Sequence, residues 1–325
     1  MKLLQVGKKP EIVSGGVGCI WSICQALPDW SHSLFFCSLQ PVPERTRAAL
    51  NGHRLGSGPA LTAEWLRSAD PDVILFHNTS NEDVPLELVP GGAVAIYYHH
   101  SSYQPLGDVS GVVERCQRSL AVSELLARSA GMPSGSVLYQ PVPAPPQGPS
   151  REDGGELVVG RLCNPREENW PESMLDFYRF LAKRRPRVRW EFVGCPAEVR
   201  PRLAEACRNV VFHEAGFQAR SLLWSWHAML YDSGAVVHSY GRTLCEAQRA
   251  GCVPVVNRLG GFLEQIEDGR TGFLCQGPEE FACALERLED PETWSALSRQ
   301  GRAAGDERGS LARWRESFLE ILKAG

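Results

Sequence analysis

No stretch of this chain reaches the ~18 consecutive apolar residues that crossing a bilayer requires, so the sequence offers no membrane-spanning helix. The start, MKLLQV, runs straight into a strand pattern without the charged, apolar and cleavable regions of a leader, and a cytoplasmic protein is expected. Positive charge is not in surplus. The 34 Lys and Arg against 38 Asp and Glu leave a net charge of -4, which argues against broad nucleic-acid binding. None of the 11 cysteines stands in a C-x-x-C, and their number is odd, so buried reduced thiols are expected in place of a disulfide framework or a metal site. The only D-x-D, Asp70-Pro71-Asp72, precedes the apolar run DVILFH and reads as a turn. There is no internal repeat. KRRPRVR (183–189) is basic, and reads as a solvated helix end before a strand.

What is present is apolar residue in quantity, 43 %, enough for real cores, over 325 residues. That length corresponds to about two domains of ~150 residues. Short apolar runs alternate with helical patterns. LLQV (3–6), DVILFH (72–77), AVAIYY (93–98) and SLAV (119–122) read as strands in the first half. LVVGRL (157–162), WEFVG (190–194), VVFHE (210–214), AVVHS (235–239), VPVV (253–256) and GFLC (272–275) do so in the second. Near-continuous apolar strands separated by helices imply parallel sheets covered on both faces, the α/β class. QPVPAPPQGPSREDGG carries five prolines between 141 and 149 and ends on Gly154-Gly155. The expected organisation is therefore a Rossmann-like N-terminal domain at 1–143, a linker at 144–155, and a second domain at 156–305. A last helix at 306–325 carries the stripe Leu311, Trp314, Phe318 and Leu322, which must dock, by expectation on the first domain.

The most informative stretch is HSYGRTLCEAQRAGCVPVV (238–256). It predicts a strand ending near Ser239, a turn at Gly241, and a helix that Gly251 terminates. Gly241, Arg242 and Thr243 open that helix, whose first N–H groups make an anion site that a glycine lets a phosphate approach. Glu246, further along, suits the hydroxyls of a ribose. A second element follows, from VPVVN (253–257) through Gly260-Gly261 into FLEQIE and an Asp268-Gly269 turn. Two such elements side by side predict a ligand crevice at the carboxyl edge of one sheet.

These residues resemble the donor-site signature of the retaining family 4 glycosyltransferases of the GT-B fold, E-x-F-G-x-x-x-x-E-A-x-A-x-G-x-P-V-V followed by G-G-x-x-E and D-G-x-x-G-x-L. The spacing holds throughout, and the first Glu is replaced by His238. The likeness extends to Gly15-Gly16-Val17 after the first strand, Val122-Ser123-Glu124, and Gly160-Arg161-Leu162. It implies two Rossmann-like domains facing a cleft and transfer of a sugar from a nucleotide-diphosphate donor with retention, without metal or other cofactor. Arg161 and Arg166, the latter where the family carries Lys, would bind the diphosphate. Gly15 and Gly16 would bring N–H groups to phosphate or acceptor, and His99 of the His99-His100 pair would lie near the reacting sugar. Glu246 would hold the ribose and His238 would face the transferred sugar. The partners implied are a nucleotide sugar and an acceptor glycan, lipid-linked molecule or small molecule, with no nucleic acid and at most peripheral membrane contact. Because a histidine cannot hold two hydroxyls as a carboxylate does, a second reading stays open: a nucleotide-sugar-binding protein whose turnover is impaired or lost.

Overall fold

The computed structural model describes residues 1–11, 14–88, 92–101, 107–151, 155–166, 169–234 and 236–324. Gly154 of the expected linker and Ala235 of the expected 235–239 strand lie outside them. The chain divides into two units, Met1–Val142 with Ser310–Gly325, and Pro143–Gly309.

In the first unit the strands are β1 (Lys2–Gly7), β2 (Ser31–Cys37), β3 (Arg54–Gly58), β4 (Val73–His77), β5 (Val94–His99) and β6 (Arg118–Ala121). They form one parallel sheet in the order β3-β2-β1-β4-β5-β6. Its helices are α1 (Gly15–Ala26), α2 (Glu44–Ala49), α3 (Ala63–Ala69), α4 (Ser110–Arg115) and α5 (Glu124–Ser129). The central strand β4, VILFH, is buried at every position, as a strand covered on both faces must be.

The second unit repeats the plan with β7 (Val158–Leu162), β8 (Arg189–Val193), β9 (Val210–His213), β10 (Ala228–Tyr231), β11 (Val253–Asn257) and β12 (Phe273–Cys275). The order is β12-β11-β10-β7-β8-β9, again all parallel. Around it stand α6 (Glu172–Arg184), α7 (Arg200–Ala206), α8 (Arg242–Arg249), α9 (Phe262–Gln265), α10 (Pro278–Leu288) and α11 (Pro291–Gly309). Each sheet has the doubly wound order 3-2-1-4-5-6 in its own count. Strand order therefore reverses between β1 and β4, and again between β7 and β10, and ligands of such sheets bind at the carboxyl ends beside that reversal.

The last helix, α12 (Leu311–Lys323), belongs to the first unit. Trp314 and Phe318 of the predicted stripe are buried and stacked at 4.7 Å, and Phe318 lies 6.2 Å from Trp30. Arg315 holds Asp29 through both guanidinium nitrogens, one at 3.0 Å. Leu311 and Leu322 are only half-buried.

Three strands differ from expectation. SHSLFFC and RLGSG are β2 and β3, of which the second is glycine-rich and carries no apolar run. In the second unit the strand is AMLY (228–231), and the described residues 236–239 of AVVHS are not a strand. AMLY occupies the slot between β7 and β11, so the chain after it runs past the sheet's edge, leaving Val236 and Val237 54 % and 56 % exposed. The expected linker also differs. Arg151 donates to the carbonyls of Leu223 (3.1 Å), Ala250 (3.0 Å) and Trp226, and Trp224 donates to Pro146 O at 2.9 Å. Residues 143–151 are thus fastened to the second unit by the Arg151 fork on its carbonyls and by a proline carbonyl accepting from Trp224. Among the described residues no helix is long and apolar enough to cross a membrane.

Candidate functional site

At the switch point of the second sheet, Arg161 sits next to the end of β7. Its side chain is 2 % exposed and reaches across the reversal to β10. Nη1 donates to Asp232 O and Nη2 to Asn169 O, each at 3.0 Å, while the guanidinium lies 4.6 Å from the ring centroid of Tyr231 and 5.4 Å from that of Trp170. Nε is buried without a hydrogen-bond partner among the described residues. The arginine expected to grip phosphate is therefore, in this structure, a brace between the loops that follow β7 and β10. Arg166 lies on the first of those loops and is exposed.

The second loop, beyond Tyr231, carries His238. Its ring stacks on Phe262 (5.5 Å, 20°) and meets Tyr231 edge-on (5.4 Å, 72°). Its carbonyl accepts from the N–H of Gly261 at 2.8 Å. Nε2 is buried and has no partner among the described residues. Burial, and then the charge of Arg161, hold the His238 pKa below its ordinary value, so the ring is neutral at pH 7. The correction is to its setting: His238 stands on a loop braced by aromatic rings and does not end a strand.

Gly241 then takes φ 84° at the start of α8, a conformation only glycine adopts cheaply, and a Cβ there would come within 2.7 Å of Phe262. The N-cap residue of α8, Gly241, has no side chain with which to cap it. Arg242 and Thr243, its first residues, are half-buried, and Gly251 ends it with φ 70° as the sequence predicts. The second glycine element turns out differently. α9 is a single turn of four residues, too short for a helix dipole to matter. A Cβ on Gly260 would meet His238 O at 2.7 Å, and one on Gly261 would meet Ser239 O at 2.3 Å. These glycines let the 238–240 loop lie against them, which accounts for the pair without a ligand. Gln265 fastens the same loop by donating to Tyr240 O.

Glu246 is 5 % exposed, on the second turn of α8. Its Oε2 accepts from Arg220 Nε at 3.0 Å. Arg220 belongs to a 3-10 helix, Gln218–Trp224, and nothing in the sequence singles it out.

In the first unit, Gly15 and Gly16 open α1, where Ser14 Oγ accepts from Val17 N at 3.3 Å. Neither has positive φ, and among the described residues a Cβ on either would meet nothing within 4 Å. His99 needs correction. It is 1 % exposed inside the unit, with Nε2 2.5 Å from Ser119 Oγ and its ring 4.5 Å from Tyr97, so it does not reach solvent. Alternation along the strand end turns His100 to the opposite face, where it is half-buried beside His77 and Tyr98. Asp70 and Asp72 lie at the amino edge of the sheet. Asp72 accepts from Lys2 N at 2.8 Å and Asp70 pairs with Lys2 Nζ at 2.6 Å, so the D-x-D is tied into the strand start.

Comparison with known proteins adds a likeness to one family. Residues 156–290 match the model of the glycosyl transferases group 1. The chain is 32 % identical over 97 residues to sucrose synthase of Acidithiobacillus caldus, a match covering 27 % of this chain and 12 % of that protein. It is 43 % identical over 68 residues to the D-inositol 3-phosphate glycosyltransferase of Streptomyces avermitilis, covering 20 % and 14 %. The matched stretches thus span a small part of these relatives' own lengths. Among solved structures, Anabaena HepE in complex with UDP superposes with a TM-score of 0.76 at 16 % identity, over 100 % of both chains. Sucrose-phosphate synthase from Thermosynechococcus elongatus gives 0.71 at 12 % identity, over 100 % and 99 %. At these identities the likeness concerns the fold, which is GT-B. Residues 156–290 are thus similar to the glycosyl transferases group 1, on a chain whose fold is that of GT-B glycosyltransferases.

Proposed function

We propose that the protein is a retaining glycosyltransferase that takes a sugar from a nucleoside-diphosphate donor bound at the β7/β10 switch point, without a metal ion. The observation that carries this reading is the convergence, inside the 156–290 domain, of the α8 start at the left-handed Gly241, the buried Glu246 and the neutral ring of His238 beside Arg161. The N–H groups of Arg242 and Thr243, with Arg166 on the facing loop, would take the diphosphate. Glu246 would accept from the ribose hydroxyls, its carboxylate aimed by Arg220. His238 Nε2, buried without a partner among the described residues, would meet a hydroxyl of the sugar. Gly15 and Gly16, around which the described residues leave open space, would let substrate approach the start of α1.

In the transfer, the anomeric C–O bond breaks with its electron pair leaving on the diphosphate. The acceptor oxygen bonds to the anomeric carbon from the same face, and its proton passes to the departing phosphate. Fixed donors aimed at the diphosphate stabilise the charge that grows there, and losing one such donor costs ~10²–10³ in rate. Metal independence is supported by the position of the sole D-x-D at the amino edge of the first sheet, with both carboxylates engaged by Lys2.

One observation favours a second reading, a nucleotide-sugar binder without turnover: Arg161 commits both Nη groups to backbone carbonyls. An assay of nucleoside diphosphate release from a panel of nucleotide sugars, run in chelator, separates the two. Release with at least one donor supports the transferase. Tight binding with no release from any donor supports the binder.

A further inference from the structure

The switch point of the first sheet assembles three side chains that the transfer reaction above does not use. Cys19 projects from α1, His77 ends β4, and His100 follows β5. One thiol sulfur and one ring nitrogen from each histidine lie within 4.8 Å of one another. Cys19 and His77 are buried and His100 is half-buried. The spacing of these residues along the chain resembles no metal motif, and only the doubly wound topology brings them together.

The surroundings specify which nitrogens face inward. Gln5 Nε2 donates to Ile20 O (3.4 Å) and Cys24 Sγ (3.5 Å), which turns its Oε1 toward His77 Nε2 at 3.1 Å. An amide oxygen only accepts, so His77 carries its proton on Nε2 and presents the lone pair of Nδ1. That Nδ1 lies 2.8 Å from His100 Nε2, and the other nitrogen of His100, Nδ1, lies 2.7 Å from the side-chain amide of Gln140. Each histidine therefore turns one nitrogen inward and has the outer one on a glutamine amide. For His77, an outward N–H donated to a fixed amide oxygen is the usual support of a metal-ligating imidazole, whereas His100 Nδ1 here accepts from the Gln140 amide nitrogen and gains that support once the amide turns.

We propose that Cys19, His77 and His100 form a binding site for a borderline-soft divalent cation, zinc above all, in the first unit. A thiolate with two imidazoles is a ligand set of the zinc type, and three protein ligands leave a fourth position open. On binding, the Cys19 thiol gives its proton to solvent and the thiolate coordinates. His100 keeps one proton but carries it on Nδ1, with the Gln140 amide turned to accept it, so that Nε2 faces the ion. About one proton is thus released per ion. The competing account is a histidine pair hydrogen-bonded to each other and nothing more. This site lies in a different unit from the donor site and does not depend on the donor reading.

Cobalt(II) reports thiolate ligation by a sulfur-to-metal charge-transfer absorption, and zinc displaces it. The 325-residue chain, reduced and metal-free, is titrated with cobalt(II) and then with zinc. The expected result is one cobalt per chain with the charge-transfer band, bleached by one zinc. Cys19→Ser, close in size to the parent, should lose the band, and Gln5→Leu should weaken zinc binding about tenfold or more. Circular dichroism of each metal-free variant serves as the folding control, and the parent spectrum decides even if a variant misfolds. No charge-transfer band in the parent, or a band that survives Cys19→Ser, overturns the proposal. In that case the imidazoles are a hydrogen-bonded pair, or another cysteine takes the metal.

Discussion

The guanidinium of Arg161 bridges the reversal of the second sheet, donating to the carbonyl of Asp232 at 3.0 Å from the strand beside it. Its second Nη group holds Asn169 O, so one buried side chain ties together both loops that border the candidate donor site. Arg161→Ala leaves two carbonyls without their donor and empties space between Trp170 and Tyr231. A loss of roughly 2–4 kcal/mol in unfolding free energy is expected. Lysine cannot span two acceptors as the planar fork does, so Arg161→Lys should recover only part of it. Urea denaturation checks both; a parent-like midpoint for Arg161→Ala would remove the brace from the description.

Glu246 and Arg220 form a second, nearly buried pair at 3.0 Å. Glu246→Ala should weaken nucleotide binding by ~1.5–3 kcal/mol, the range for a hydrogen bond to a charged group. If Arg220 only aims the carboxylate, Arg220→Ala should weaken binding less, and a double-mutant cycle should show coupling of roughly 1–3 kcal/mol. Additive losses measured by calorimetry would mean that the two residues act separately.

Parts of this arrangement are legible in the sequence and parts are not, for physical reasons. β7 and β11 announce themselves through β-branched runs, and the Gly241 turn and Gly251 stop follow from what only glycine does cheaply. AVVHS carries the same strand chemistry as VPVV, yet AMLY takes the sheet position, a choice made by which run can pair with β7 and β11 together. Propensity does not record that competition. Gly260 and Gly261 suggest a ligand loop by their spacing, whereas their neighbours are the backbone of His238 and Ser239. Arg220 meets Glu246 only through the packing of a 3-10 helix on α8, and His99 and His100 differ only in which face of the sheet each side chain takes. Such contacts depend on tertiary placement that one sequence does not encode locally.

His238→Glu restores the residue the family signature carries. The carboxylate accepts where the imidazole both donates and accepts, so the ranking of donors in a panel assay should shift while free-nucleotide affinity stays within about twofold. The ring stack on Phe262 is lost as well, at roughly 0.5–1.5 kcal/mol of stability. An unchanged ranking with unchanged rates would mean that the histidine only packs against Phe262 and Tyr231.

His32 and His53, in the first unit, face each other edge-on at 5.1 Å, and His32 Nε2 lies 2.8 Å from Leu27 O. Burial is the leading cause that lowers both pKa values below the ordinary ~6.5. A lowered histidine means that the unfolded chain takes up a proton before the folded one does. Its contribution is therefore full above about pH 6.5 and is lost as pH falls toward the folded pKa. Urea midpoints should drop between pH 7 and pH 5, and the drop should shrink in His32→Gln. The same drop in that variant as in the parent would assign the pH dependence to other groups.

The most direct measurement is calorimetric titration of the metal-free protein with uridine, guanosine and adenosine diphosphates in excess chelator, repeated with Glu246→Ala. Binding of at least one nucleotide at one site per chain is predicted, unaffected by added magnesium or manganese and weakened in the variant. No binding by any of the three, or binding that appears only when a divalent cation is supplied, would contradict a metal-independent donor site at the β7/β10 switch point.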